Sequence, residues 1–154
     1  MPKKILIVGS GGVGKTNLAR LIVGLNFENR YIATIRAETY PNEDLVIWDT
    51  AGNPKFTGIG KEYYSDSHLA IIVFDVSIQL KPPVIYQYIN DIVEMSPNAK
   101  IILVGNKCDR GISMDGLDTD KIEDYSEISC KIKEGCQPLL NYLLNLDPPG
   151  HVLE

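Results

Sequence analysis

The stretch Ile5–Thr16 reads ILIVGSGGVGKT and decides the fold. Its first part, Ile5–Val8, is a short apolar run that does not alternate with polar residues, which is typical of a strand buried on both faces of a parallel sheet. The second part, Gly9–Thr16, matches the pattern GxxxxGK[ST], and its last two residues open a predicted helix over Lys15–Leu25. Glycines let the backbone wrap around a phosphate, and a helix N-terminus adds partial positive charge. This context favours a phosphate-binding loop over a plain glycine-rich turn with a surface lysine.

The residues of this loop have distinct predicted roles. Lys15 is placed to reach the β and γ phosphates of a nucleotide, and the Thr16 hydroxyl can coordinate Mg2+. The full set of predicted phosphate-binding residues is Gly11, Gly12, Val13, Gly14, Lys15, Thr16 and Asn17.

The rest of the chain alternates predicted strands with predicted helices, which indicates an α/β layered domain. Two further buried strands are expected, with a short strand near the end: His68–Val76, Lys100–Val104 and Tyr125–Ser129. Helices are expected over Ile59–Asp66, Val84–Met95 and Pro138–Leu146. The segments Ile35–Tyr40 and Glu43–Asp49 flank Pro41-Asn42 and predict a tight antiparallel hairpin, although Pro41 could equally open a loop.

A second motif, Asn106-Lys107-Cys108-Asp109, follows the strand over Lys100–Val104, at the strand end where open α/β sheets place ligands. The Asp109 carboxylate can accept hydrogen bonds from N1–H and the exocyclic amine of guanine, a donor pair that adenine lacks. With the phosphate loop upstream, this motif predicts a guanine-nucleotide site and makes Asp109 the residue that selects the base.

Composition limits the remaining possibilities. The chain has 154 residues, 15 Lys and Arg, 20 Asp and Glu, and a formal net charge of -5, which fits a single domain over residues 1–154 and argues against a nucleic-acid partner. Its three cysteines show neither a disulfide framework nor a zinc-site spacing, so reduced thiols in the cytoplasm are expected. The sequence contains neither a long apolar segment nor a lipidation signal, so we expect no direct membrane anchor. We also expect the protein to be a monomer.

Beyond these two motifs, the chain resembles the Ras-like small GTPases over nearly its whole length, and the Rab branch most closely. The resemblance rests on three further stretches: Tyr31–Ile35 (YIATI), Trp48–Gly52 (WDTAG), and Tyr63-Tyr64 followed by Ile71–Val76. It implies a P-loop NTPase G domain, with a six-stranded, mostly parallel sheet between helices. It also implies a GTPase that binds GDP or GTP with Mg2+ and acts as a switch on protein effectors and regulators through the loops 29–37 and 52–64.

The resemblance also implies roles for single residues. Thr34 would bind Mg2+ and sense the γ phosphate, Asp49 would hold Mg2+ through water, and the Gly52 amide would touch the γ phosphate. Phe27 would stack near the base, Lys107 would pack along the nucleotide, and Ser129-Cys130-Lys131 would contact the guanine carbonyl.

The sequence departs from the family at the residue that orients the attacking water. Asn53 stands where the family usually has glutamine, and its side chain is one methylene shorter, about 1.5 Å. Pro54 restricts the backbone of Asn53, which either restores its reach or fixes it in an unproductive direction. We therefore expect slow hydrolysis, with Lys15, Thr34, Gly52 and Asn53 as the catalytic set. The alternatives are a module that holds GTP or GDP without hydrolysis and, less favoured because arginines are few, a phosphotransferase.

Two segments are also shorter than in a typical Rab protein. The hairpin between Thr34 and Trp48 and the stretch between Asp109 and Ser129 each lack about eight residues. These differences predict a shortened hairpin between strands 2 and 3 and a reduced fourth family helix.

Overall fold

Six strands form one sheet in the computed structural model, which describes residues 3–10, 12–24, 37–42, 45–50, 61–76, 82–107, 122–131 and 135–146. The strands are β1 Lys3–Val8, β2 Ala37–Asn42, β3 Leu45–Thr50, β4 Leu69–Asp75, β5 Lys100–Asn106 and β6 Asp124–Glu127. Their spatial order is β2-β3-β1-β4-β5-β6. The β2–β3 pair is antiparallel and the other neighbours are parallel. The predicted six-stranded, mostly parallel sheet is thereby confirmed.

The hairpin between β2 and β3 is short, as predicted, but Pro41-Asn42 belongs to β2 and does not separate the two strands. Asn42 pairs with Leu45 and Pro41 pairs with Val46, so the strands are connected by residues 43–44. The position of the turn was therefore predicted wrongly. The physical reason is that β2 is an edge strand, where alternate N–H groups face away from the partner strand and a proline is tolerated.

Three α-helices lie in the described part of the chain: α1 Lys15–Ile22, α2 Pro82–Met95 and α3 Cys136–Leu144. Two of them begin with or just before proline, because first-turn N–H groups need no partner within the helix. The α-helix predicted over Ile59–Asp66 is wrong: the structure has a single 3-10 turn over Lys61–Tyr64. Asp66 adopts a φ of 58°, and the Ser67 hydroxyl donates to the Tyr64 carbonyl oxygen at 2.8 Å, which ends the turn.

The core has two halves, one on each face of the sheet. Alternate β1 residues face opposite sides: Ile5 and Ile7 pack in the half that contains α1 and α3, whereas Leu6 and Val8 pack in the half that contains α2. All four side chains are fully buried, which explains why β1 shows no alternation of polar and apolar residues. Helices therefore cover both faces of the sheet, and the edge formed by the carboxyl ends of the parallel strands stays available for a site. The predicted reduction of the fourth family helix concerns residues that lie mostly outside the described ranges.

Candidate functional site

Polar side chains are buried mainly at one edge of the sheet, where the parallel strands end. In the described ranges eight polar or charged side chains are buried, and six of them lie at or beside this edge: Lys15, Asp49, Thr50, Asp75, Asn106 and Ser129. Burying such groups costs free energy unless they are hydrogen-bonded or paired, so their concentration at one edge indicates a built site.

The loop from β1 to α1 has a backbone that requires glycine. Gly14 adopts a φ of 100° and precedes the first residue of α1, Lys15. A Cβ atom on Gly14 would overlap the Asn106 side-chain amide, and one on Gly9 would overlap the Val73 carbonyl oxygen. No side chain among the described residues caps α1, so the amides of its first turn carry their partial positive charge toward the loop.

Three carbonyl oxygens of this loop accept hydrogen bonds from long side chains. The Lys15 Nζ atom donates to the Ser10 carbonyl at 3.0 Å, and the Lys107 Nζ atom donates to the Gly12 carbonyl at 2.5 Å. The Asn106 Nδ2 atom donates to the Val13 carbonyl at 3.0 Å. The loop is therefore fixed along its length by residues of both sequence motifs.

Asn106 joins the loop to a third segment. While its Nδ2 atom holds Val13, its Oδ1 atom accepts a hydrogen bond from the Cys130 backbone N–H at 3.2 Å. Cys130 is buried and Ser129 is fully buried, whereas Lys131 is exposed. One side chain that is 3% exposed thus connects the phosphate loop with the segment predicted to contact guanine.

Lys107 is oriented by an acidic residue that the sequence analysis did not select. The Lys107 Nζ atom lies 3.4 Å from Asp75 Oδ2, and Lys107 has a φ of 64°. Asp75 is the last residue of β4 and is 8% exposed. The signal in the sequence was an acidic residue at the end of the apolar run Leu69–Phe74, because an acid at that position falls on the carboxyl edge of the sheet.

Thr16 and Asp49 place two side-chain oxygen atoms next to each other, close to Lys15. The Thr16 hydroxyl donates to Asp49 Oδ2 at 2.5 Å, and the Asp49 side chain is completely buried. Hydroxyl and carboxylate oxygens are the ligands that Mg2+ prefers, so these two residues fit that ion when phosphate and water supply further ligands. The described residues contain no cluster of three or more His, Cys, Asp or Glu side chains able to hold a metal by themselves.

Lys15 is buried close to this pair, with 7% of its surface exposed. Burial lowers the pKa of Lys15 to about 8, and the neighbouring Asp49 carboxylate opposes that shift. Near neutral pH the Lys15 side chain is therefore mostly protonated, and its positive charge can attract an anionic ligand.

The predicted site residues divide into two groups. The structure brings most of them to the carboxyl edge or the loop above it: Gly12, Val13, Gly14, Lys15, Thr16, Asn17, Asp49, Asn106, Lys107, Ser129, Cys130 and Lys131. The others lie outside the described ranges: Gly11, Phe27, Thr34, Gly52, Asn53 and Asp109.

Residues 4–136 match the model of the Ras family, which is most of the chain. The chain belongs to the Ras family. It is therefore a small GTPase in the family sense, a GTP-binding protein of the switch class. This membership confirms the Ras-like resemblance, and the assignment to the Rab branch stays a prediction. Within the described part of this Ras-family chain, no helix has the length and apolar character to span a bilayer.

Proposed function

We propose that this Ras-family chain binds GDP and GTP at the carboxyl edge of its sheet and hydrolyses GTP slowly. The observation that carries the proposal is the Asn106 side chain, which ties the Val13 carbonyl to the Cys130 amide at 3.0 and 3.2 Å. A nucleotide that spans the loop and the 129–131 segment would contact both, so one rigid connection would hold the phosphate and base subsites in register.

The phosphates would be held by the loop 11–14, the first turn of α1 and the Lys15 ammonium. The base would be held by Asp109 through its carboxylate, by Lys107 along the ring, by the segment 129–131, and by Phe27. Support for the Lys107 role comes from its two fixed contacts, to the Gly12 carbonyl and to Asp75. These contacts hold the side chain's amino group against the loop.

A magnesium ion would be held by Thr16 and Asp49, with Thr34 added when GTP is bound. Bound there, the ion supplies charge neutralisation on the phosphate oxygens. Thr16 and Asp49 already lie within 2.5 Å of each other, so neither side chain has to travel far to share a ligand.

In the hydrolytic step a water attacks the γ phosphorus, and the bond from that phosphorus to the β–γ bridging oxygen breaks, which yields GDP and phosphate. Lys15 and the loop amides would spread the developing negative charge. Thr34 and Gly52 would sense the γ phosphate, and its loss would release the loops 29–37 and 52–64 to another conformation that partners read. Asn53 would orient the water, and its short side chain is the reason that we expect a slow rate.

The wider biology also belongs to this proposal. We place the protein in the cytoplasm, as a monomer with protein effectors and regulators as partners and without a nucleic-acid partner. The free thiols of Cys130 and Cys136 and the net charge of -5 support this setting.

Single-turnover hydrolysis of bound GTP tests the enzymatic step. Wild type should convert GTP to GDP slowly, and Asn53→Gln should convert it faster because the longer amide reaches the water. Lys15→Ala should no longer bind GTP, because the ammonium that holds the phosphates is absent. If GTP stays tightly bound and intact in both wild type and Asn53→Gln, the chain is a GTP-holding module and the proposed catalysis is wrong.

Competition tests the base and the phosphotransferase alternative in the same preparation. An excess of unlabelled ATP should leave bound fluorescent GDP in place, whereas unlabelled GTP should displace it. Displacement by ATP as effective as that by GTP would contradict the guanine assignment of Asp109.

A further inference from the structure

The last residue of β4 is an acid in an otherwise apolar strand. The six residues before it, Leu69–Phe74, are apolar and buried, and Asp75 is buried with them. A carboxylate in such a place costs free energy unless an opposite charge lies beside it. Lys107 supplies that charge, because its Nζ atom lies 3.4 Å from Asp75 Oδ2. The two side chains therefore form a largely buried ion pair.

The position of Asp75 follows from the pairing of β4 with β5. Val73 packs in the half of the core that contains α1, and side chains alternate along a strand, so Asp75 lies on the α1 face as well. Asp75 pairs with Asn106 in the register of the two strands, and the Val76 backbone N–H donates to the Asn106 carbonyl at 3.0 Å. Main-chain pairing therefore fixes the carboxylate beside the strand end that Lys107 follows.

Lys107 has a backbone conformation that needs support. Its φ of 64° lies in the left-handed region, which a residue with a Cβ atom occupies at a cost and keeps where surrounding contacts impose it. Its ammonium makes two such contacts, one to Asp75 and one to the Gly12 carbonyl oxygen at 2.5 Å. The ammonium thus connects a fixed carboxylate on β4 with a carbonyl of the phosphate loop.

The phosphates of a bound nucleotide would attract a neighbouring ammonium that had no counter-charge of its own. If the Lys107 ammonium moved toward phosphate, it would leave the Gly12 carbonyl, and the loop would lose the contact that fixes this peptide. The Asp75 carboxylate opposes that movement, because solvent and salt screen a largely buried pair at 3.4 Å only weakly. Asp75 would therefore keep Lys107 on the loop while nucleotide is bound.

We propose that Asp75 is a positioning residue for nucleotide retention, whose carboxylate holds the Lys107 ammonium on the Gly12 carbonyl and thereby slows the release of guanine nucleotide. This inference rests on the proposed nucleotide-binding function and adds to it a residue outside both sequence motifs. Asp75 acts through Lys107 and needs no contact with the nucleotide. Charge alone has the opposite effect, since a carboxylate repels phosphate and its removal would slow release. The direction of the change therefore distinguishes positioning from simple repulsion.

The test is the dissociation rate of fluorescent GDP from the full chain, chased with excess unlabelled GDP. Asp75→Asn keeps the size of the side chain and removes its charge, and it should speed dissociation about two- to tenfold, the range expected when a charged partner becomes neutral. Asp75→Ala also removes the acceptor oxygens and should speed dissociation at least as much. Asp91→Asn is the matched control and should change the rate little, because this partly buried carboxylate on α2 accepts from the Gln87 side chain at 3.0 Å and contacts no residue of the loop in the structure.

A double variant shows whether Asp75 acts through Lys107. Lys107→Met keeps an apolar stem and removes the ammonium, so adding Asp75→Asn to it should not speed dissociation further. Further acceleration in the double variant would overturn the inference, because Asp75 would then act by another route. If Lys107→Met releases GDP too fast to time, the comparison of Asp75→Asn with Asp91→Asn decides alone.

The remaining outcomes separate this inference from the function on which it rests. An Asp75→Asn rate equal to or slower than that of wild type would refute the positioning role. A fall in the urea midpoint of Asp75→Asn large enough to account for its faster release would likewise overturn it. A wild-type chain that retains no fluorescent GDP would refute the proposed function itself, whereas a wild type that retains it alongside an unaffected Asp75→Asn variant refutes only the role of Asp75.

Discussion

The two edges of the same parallel strands use charged and polar side chains for different purposes. At the carboxyl edge, Asn106, Lys107 and Lys15 hold the carbonyls of a glycine-rich loop whose neighbouring helix end is uncapped by any described side chain. At the amino edge, charged side chains bind carbonyls that end other segments of the fold. The difference shows that a buried or half-buried charged side chain indicates a ligand site when it contacts a segment that can bind a ligand, such as the glycine-rich loop before α1.

The amino edge is an example of structural use of charge. The Lys4 Nζ atom donates to the carbonyls of Tyr63 and Ser65 at 2.6 and 2.7 Å and lies 4.3 Å from the centre of the Trp48 ring. Lys3 donates to the Leu146 carbonyl just beyond the end of α3. These contacts connect the 3-10 turn and the end of the last helix to β1. None of the carbonyls involved belongs to a loop whose conformation requires glycine.

Among the variants that test this difference between the two edges, Gly14→Ala should have the largest effect on GDP affinity. The added Cβ would overlap the Asn106 amide at a φ of 100°, which an alanine adopts only with strain, so the loop and its connection to Cys130 would both be disturbed. We expect GDP affinity to fall by about a hundredfold or more, equivalent to roughly 3 kcal/mol. Isothermal titration of the nucleotide-free protein measures it.

Gly24→Ala is the matched control for backbone strain. Gly24 has a φ of 84°, and a Cβ there would meet no atom within 4 Å. It should lower the unfolding free energy by about 1 kcal/mol and leave GDP affinity nearly unchanged. Equal losses of GDP affinity in the two variants would mean that the close packing of Gly14 against Asn106 is not what GDP binding requires.

The sequence predicted the strands and the loop well because both depend on local pattern. The run Ile5–Val8 is buried on both faces as expected, and the GxxxxGK[ST] motif lies between β1 and α1. The two hydrogen bonds of the Asn106 side chain could not be predicted, because they require Val13 and Cys130, which are far apart in sequence, to lie next to it in the fold. For the same reason Asp75, as the partner of Lys107, emerged only from the structure.

A second test uses pH at the carboxyl edge. Burial lowers the pKa of Lys15 to about 8 in the free protein, and a bound phosphate would favour the charged ammonium, so affinity should be constant well below pH 8 and weaken as pH rises through it. From pH 7 to 8.5 the GDP dissociation constant should increase about fourfold. Lys15→Arg keeps its charge throughout this range, so its affinity should be independent of pH even if it is weaker. A flat wild-type profile would show that Lys15 stays fully protonated, contrary to its burial.

The smallest effect should come from pH at the amino edge, where His68 accepts a hydrogen bond at Nδ1 from the Lys4 backbone N–H at 3.0 Å. Burial, with a smaller contribution from Lys3, lowers the pKa of His68 below its ordinary 6.5, so the neutral ring is favoured in the folded state. This contribution to stability is therefore present above pH 6.5 and is lost as pH falls below it through the folded pKa. The urea midpoint of wild type should fall more between pH 7.5 and 5 than that of His68→Asn, whose amide oxygen accepts the same bond without titrating. GDP affinity should differ little between the two proteins over this range, because His68 lies at the edge opposite the loop. Parallel changes in urea midpoint, or an affinity that depends on His68, would remove the distinction between a structural edge and a ligand-binding one.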